Sequence, residues 1–126
     1  MLLNCQRDVM LANWQRGVDL AAADRDGEHD PYPVVKLFNP VGAATWLLTE
    51  LVPDSLGDNG EPDTAFGLCD LGLGSPELGY VSLGELRDWE AFGGALYIER
   101  DEHFTATKPL SEYAADARRI GRIEAY

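Results

Sequence analysis

The stretch Pro33-Val34-Val35-Lys36-Leu37-Phe38-Asn39-Pro40-Val41-Gly42-Ala43-Ala44-Thr45-Trp46-Leu47-Leu48-Thr49-Glu50-Leu51-Val52 decides the fold. Pro33 to Phe38 is rich in β-branched and aromatic side chains, and Ala44 to Val52 is a second such run. Between them Asn39-Pro40-Val41-Gly42 has the composition of a tight turn, so the two runs make a β-hairpin. Strands joined by so short a turn pair antiparallel, since a parallel pair would need a long crossover.

Working outward, two more runs follow. Thr64 to Leu71 and Glu77 to Leu83 read as strands linked by Gly72-Leu73-Gly74-Ser75-Pro76, again a hairpin connection. Pro53 to Asp63, with two prolines, two glycines and several acids, is an exposed loop. Ser82-Leu83-Gly84-Glu85 has a capping-box spacing and opens a short helix that carries Leu83, Leu86, Trp89 and Ala91 and ends at Gly93-Gly94. Ala95 to Arg100 is a fifth strand, and Ser111 precedes a last helix, Glu112 to Gly121, with arginines at its carboxyl end.

Upstream, Asn4 to Ala23 places Val9, Met10, Ala12, Asn13, Trp14, Gly17, Val18 and Ala21 at helical spacing, with Asn4 as the N-cap. Asp24 to Pro33 is an acidic, proline-bearing loop. The order predicts an α+β fold: an antiparallel sheet of about five strands with an N-terminal helix, a short helix and a C-terminal helix. At 126 residues the chain suits a single domain, 1–126, with an ordinary hydrophobic core.

The net charge is −12. Residues 1–18 carry two bases against one acid, and residues 103–126 carry four against three. Residues 19–102 hold eighteen acids against four bases, so the acidity lies in the middle. Such a surface repels nucleic acid phosphate and anionic lipid and attracts basic protein surfaces. Direct nucleic acid and membrane partners are therefore not expected. No segment approaches the ~20 apolar residues that span a bilayer, and the amino terminus lacks the order of a signal peptide. The expected location is the cytoplasm.

Motif tests point away from catalysis. Asp24, Asp26, Glu28 and Asp30 occupy alternate places of a calcium-loop count, but the turn Gly is replaced by His29 and the bidentate Glu by Val35. Gly72-Leu73-Gly74 lacks the remaining glycines and the lysine of phosphate loops. Two histidines are too few for a three-His metal site, and Cys5 and Cys69 lack zinc spacing. Cys69 lies mid-strand in acidic company, which disfavours a nucleophilic thiolate, so it reads as a buried structural cysteine. No catalytic residue, metal or cofactor is expected. A small hydrolase or metal-dependent enzyme using Cys69, Asp70 and His103 is the competing reading, and a self-associating interaction protein is another. The favoured binding site is an acidic rim around aromatic anchors: Glu85, Asp88, Trp89, Glu90, Glu99, Asp101 and Glu102, with Phe92 and Tyr97 nearby.

Several blocks carry a resemblance: Pro33 to Pro40, Ala44 to Leu51, Ala65-Phe66-Gly67-Leu68-Cys69-Asp70-Leu71-Gly72-Leu73-Gly74, Glu77 to Leu83, and Ile98-Glu99-Arg100-Asp101 with Phe104. From about Pro33 to Tyr113 the chain resembles the domain of unknown function 2958. That family comprises small proteins encoded on conjugative plasmids and integrated elements of proteobacteria. The resemblance implies a mobile-element accessory protein and brings no catalytic residues with it. Joined to the charge, it leads to the expectation of a non-enzymatic anti-defence protein, an anti-CRISPR or antirestriction factor. Its partner would be the basic nucleic-acid-binding surface of a CRISPR effector or restriction enzyme, occupied in the manner of a DNA mimic.

Overall fold

The structure is a computed structural model that describes residues 1–88 and 98–126. Helix α1 (Asn4–Ala22) is followed by a single 3-10 turn at Asp26–Glu28, then strands β1 (Val35–Phe38), β2 (Thr45–Leu51), β3 (Thr64–Asp70) and β4 (Glu77–Ser82). Helix α2 (Leu83–Arg87), strand β5 (Glu99–Arg100) and helix α3 (Leu110–Ile120) complete the chain. The fold is α+β, as the sequence predicts. The expected strand residues Ala95 to Tyr97, and the part of the short helix beyond Asp88, lie outside the described residues.

All strand pairs are antiparallel, in the order β4-β3-β2-β1-β5. The β1–β2 hairpin is fastened at its turn by Asn39, whose side-chain oxygen accepts the Val41 N–H at 3.1 Å while its own N–H donates to the Ala44 carbonyl at 3.0 Å. β2 is the central strand, buried from Trp46 to Leu51. Its side chains alternate between two cores. Trp46, Leu48 and Leu51 join Met10 of α1 and Leu83 and Leu86 of α2, whereas Leu47 joins Leu68, Tyr113, Ala114 and Ala117 under α3. The sheet is thus sandwiched, with α1 and α2 on one face and α3 on the other.

Gly67 lies so close to β2 that a Cβ there would be 1.9 Å from the Leu47 carbonyl oxygen. Opposite it β2 bulges, the register shifting between Leu48 and Glu50. Two side chains donate to backbone carbonyls at the bulge. The Thr49 hydroxyl donates to the Phe66 carbonyl at 3.3 Å, and Asn13 of α1 donates to the Thr49 carbonyl at 2.9 Å.

Asn4 is not the N-cap of α1. Leu3 holds that place, and the Gln6 side chain accepts the Leu3 N–H at 2.9 Å. α3 starts at Leu110, a little earlier than its sequence pattern, because it is capped from far away. Asp30 accepts the Ser111 N–H at 3.0 Å and the Ser111 hydroxyl, and the Pro31 carbonyl accepts the Leu110 N–H at 3.0 Å. An acid of the first loop therefore fixes the last helix.

Asp30→Ala is expected to lower the unfolding free energy by about 1–2 kcal/mol, the worth of a side-chain cap. Asp26→Ala, in the same loop but without a side-chain partner among the described residues, should change it by less than about 0.5 kcal/mol. Urea titrations of the two variants make the comparison.

Candidate functional site

The carboxylates of the middle segment divide by what they touch. One group is committed to the fold. Asp63 accepts the Gly84 N–H at 2.8 Å and the Ser82 hydroxyl at 2.6 Å, while Ser82 accepts the Glu85 N–H at 3.2 Å, so α2 is capped by both its own Ser and a distant Asp. Asp70, buried, accepts the N–H groups of Gly72 at 2.8 Å and Ile123 at 3.1 Å, which ties the carboxyl-terminal segment to β3. Glu50, also buried, is paired with His29.

A second group has no such work. Asp24, Asp26, Asp54, Asp58, Glu77, Glu85 and Glu99 are exposed, and among the described residues none of their side chains meets a cation. All four bases of residues 19–102 are already in ion pairs: Arg25 with Glu28, Lys36 with Asp101, Arg87 with Asp88 and Arg100 with Glu102. The surplus negative charge of the middle segment therefore faces solvent.

The residues expected to form an acidic rim fall into separate groups. Glu85 and Asp88 lie on α2 and at its end, beside a depression shared with Asp58 and Asp63. Glu99, Asp101 and Glu102 lie on β5 and the turn after it, at the opposite edge of the sheet, lining a depression with Phe38 and His103. Asp101 is partly spoken for: the His103 N–H at 2.9 Å, and behind it the Lys36 ammonium at 3.4 Å, hold its carboxyl below the usual value. Trp89 and Glu90, with Phe92 and Tyr97, lie outside the described residues.

Cys69, Asp70 and His103 are not brought together. Cys69 packs with the α1-side core that contains Trp46, its strand neighbour Asp70 turns the other way toward Ile123, and His103 is exposed on the turn beyond β5. Burial pushes the Cys69 thiol up to about 11, as befits a structural cysteine.

The sequence reading missed a polar cluster at the end of the sheet. Gly17 lowers the helix propensity of α1, but a Cβ there would lie 2.9 Å from the His29 imidazole, so the glycine makes the seat in which His29 meets Glu50. His29 also borders a cleft of about 630 Å³ with Asn13, Arg16, Tyr32 and Phe104. Among the described residues no three His, Cys, Asp or Glu side chains converge closely enough to hold a metal ion, and no helix is long and apolar enough to cross a membrane.

A family model described as protein of unknown function (DUF2958) matches residues 1–124. The chain belongs to this family. No curated protein and no solved structure matches it. The DUF2958 match extends beyond the strand blocks of residues 33–113 to include α1 and α3. Those are the two helices that cover opposite faces of the DUF2958 sheet, so the match spans both covering layers.

A thiol titration near neutral pH should show one fast cysteine, Cys5, which is exposed, and one that reacts only in denaturant, Cys69. At a pKa near 11 about one Cys69 in ten thousand is thiolate at pH 7. Because the folded-state value lies above the ordinary one near 9, stability should fall as pH rises from 9 to 11, and Cys69→Ser should remove that part of the loss.

Proposed function

We propose that this DUF2958 protein acts by binding rather than by catalysis, presenting free carboxylates to a Lys/Arg-lined surface of another protein. The separation of the carboxylates into two populations carries this reading. Seven exposed acids of the middle segment have neither a cation nor a side-chain hydrogen bond among the described residues, while every base there is already paired. A net charge of −12 also exceeds what solubility asks of a small domain, about 2–8 in magnitude. Unpaired like charges raise the energy of the free protein and lower it again when a basic surface neutralises them.

The mobile-element setting implied by the sequence resemblance gives the partner its class. A basic groove built for DNA or RNA, as in a CRISPR effector or a restriction enzyme, offers the charge density that such a surface needs. Occupying that groove would exclude nucleic acid, which makes the protein an anti-defence inhibitor of the DNA-mimic kind.

Competition on a purified effector complex tests this. Excess protein should displace labelled DNA at low salt, with the effect fading as salt rises and screens the charges. Reversal of Asp54, Asp58, Glu85 and Glu99 to Lys should weaken inhibition by about tenfold, at roughly 0.3–0.4 kcal/mol each. Undisturbed DNA binding by representative CRISPR and restriction complexes at low salt would rule the proposal out.

A further inference from the structure

The two edges of the sheet are guarded very differently. β5 is two residues long and lies within the charged run Glu99-Arg100-Asp101-Glu102, and a short, charged edge resists pairing with other strands. β4, at the other edge, is six residues long and carries a single charge, Glu77. Among the described residues no strand pairs with its outer side.

β4 also exposes apolar side chains. Leu78 pairs with Leu68 and Tyr80 with Phe66, which places all four on the α3 face. α3 covers Leu68 but not its neighbours on β4: Leu78 is 41% and Tyr80 61% exposed, the latter braced edge-on against Phe66 at 5.0 Å. Natural edge strands with this length and composition are normally covered.

We propose that β4 is covered by β4 of a second copy, paired antiparallel about a two-fold axis at Gly79, so that the two sheets become one. The strand's own sequence selects this occupant and this register. Residues directly opposite in an antiparallel pair share a face, so only registers that keep Leu78 and Tyr80 on one side are available. With Gly79 opposite Gly79 of the second copy, Leu78 meets Tyr80 and Tyr80 meets Leu78, an aromatic–aliphatic contact made twice. Glu77 then meets Val81 instead of its own counterpart, so no like charges are opposed within the pair. Centring the pair on Leu78 would set Tyr80 against Pro76, and centring it on Tyr80 would set Leu78 against Ser82. Both alternatives lose the repeated contact. The general repulsion between two chains of −12 opposes association and is screened by salt. Dimerisation should therefore strengthen with salt, the reverse of binding to a basic partner.

The test is cross-linking at the axis, supported by sedimentation of the full chain. A Cβ at Gly79 meets nothing within 4 Å, so Gly79→Cys is accommodated. In a Cys5→Ser background the Cα atoms of the two substituted residues, one from each copy, would be about 4.5–5.5 Å apart, within disulfide reach. Mild oxidation should give a reducible covalent dimer, whereas Val81→Cys, whose counterpart is displaced along the strand, should not cross-link. The unaltered chain should sediment at twice its mass at high salt. Leu78→Lys with Tyr80→Lys should return it to a single-chain mass, and Leu78→Lys with Tyr80→Glu, which sets opposite charges face to face, should restore the doubled mass. A single-chain mass for the unaltered protein at high salt, or equal cross-linking at positions 79 and 81, overturns the inference.

Discussion

The burial of β2 on both faces is the constraint on which the rest of the structure depends. Its side chains from Trp46 to Leu51 are buried, and a strand enclosed in this way needs a layer on each side. One layer comes from α1 and α2 and the other from α3, so helices near opposite ends of the chain meet the same strand from opposite directions. Burying apolar area is non-directional and does not fix where α3 sits. Hydrogen bonds do: Asp30 holds its start, Asp70 holds the segment after it through Ile123, and Lys36 donates to the Ala125 carbonyl at 2.7 Å.

Carboxylates are therefore part of the scaffold as well as of the surface. Asp30, Glu50, Asp63 and Asp70 each join segments distant in sequence, and three of them accept backbone N–H groups. The free acids perform no such joining. They add self-repulsion to the folded state, and the proposed binding function rests on that remainder rather than on the total charge.

The parts of the fold that are local in sequence could be read from it. Asn39-Pro40-Val41-Gly42 announced the hairpin because turn chemistry acts over a few residues, and Ser82 with Glu85 announced the start of α2 for the same reason. That Cys69 and Asp70 point apart follows from strand alternation alone. The non-local contacts were not legible. Nothing near Asp30 indicates a helix start 81 residues away, and nothing near Gly17 indicates the His29 imidazole that lies against it. Asn13, taken as one position on the helix face, proves to cap the bulge in β2. The acidic residues were legible as a charge but not as two populations, because pairing depends on which bases the fold brings near.

That division is tested most directly by the unfolding free energy of one variant in which the free set is neutralised: Asp24, Asp26, Asp54 and Asp58 to Asn, with Glu77, Glu85 and Glu99 to Gln. If these side chains are idle in the fold, the variant should be as stable as the parent or more stable, since self-repulsion is removed. A loss of more than about 2 kcal/mol would show that these carboxylates hold the structure together, and would contradict the view that they are held free for a partner.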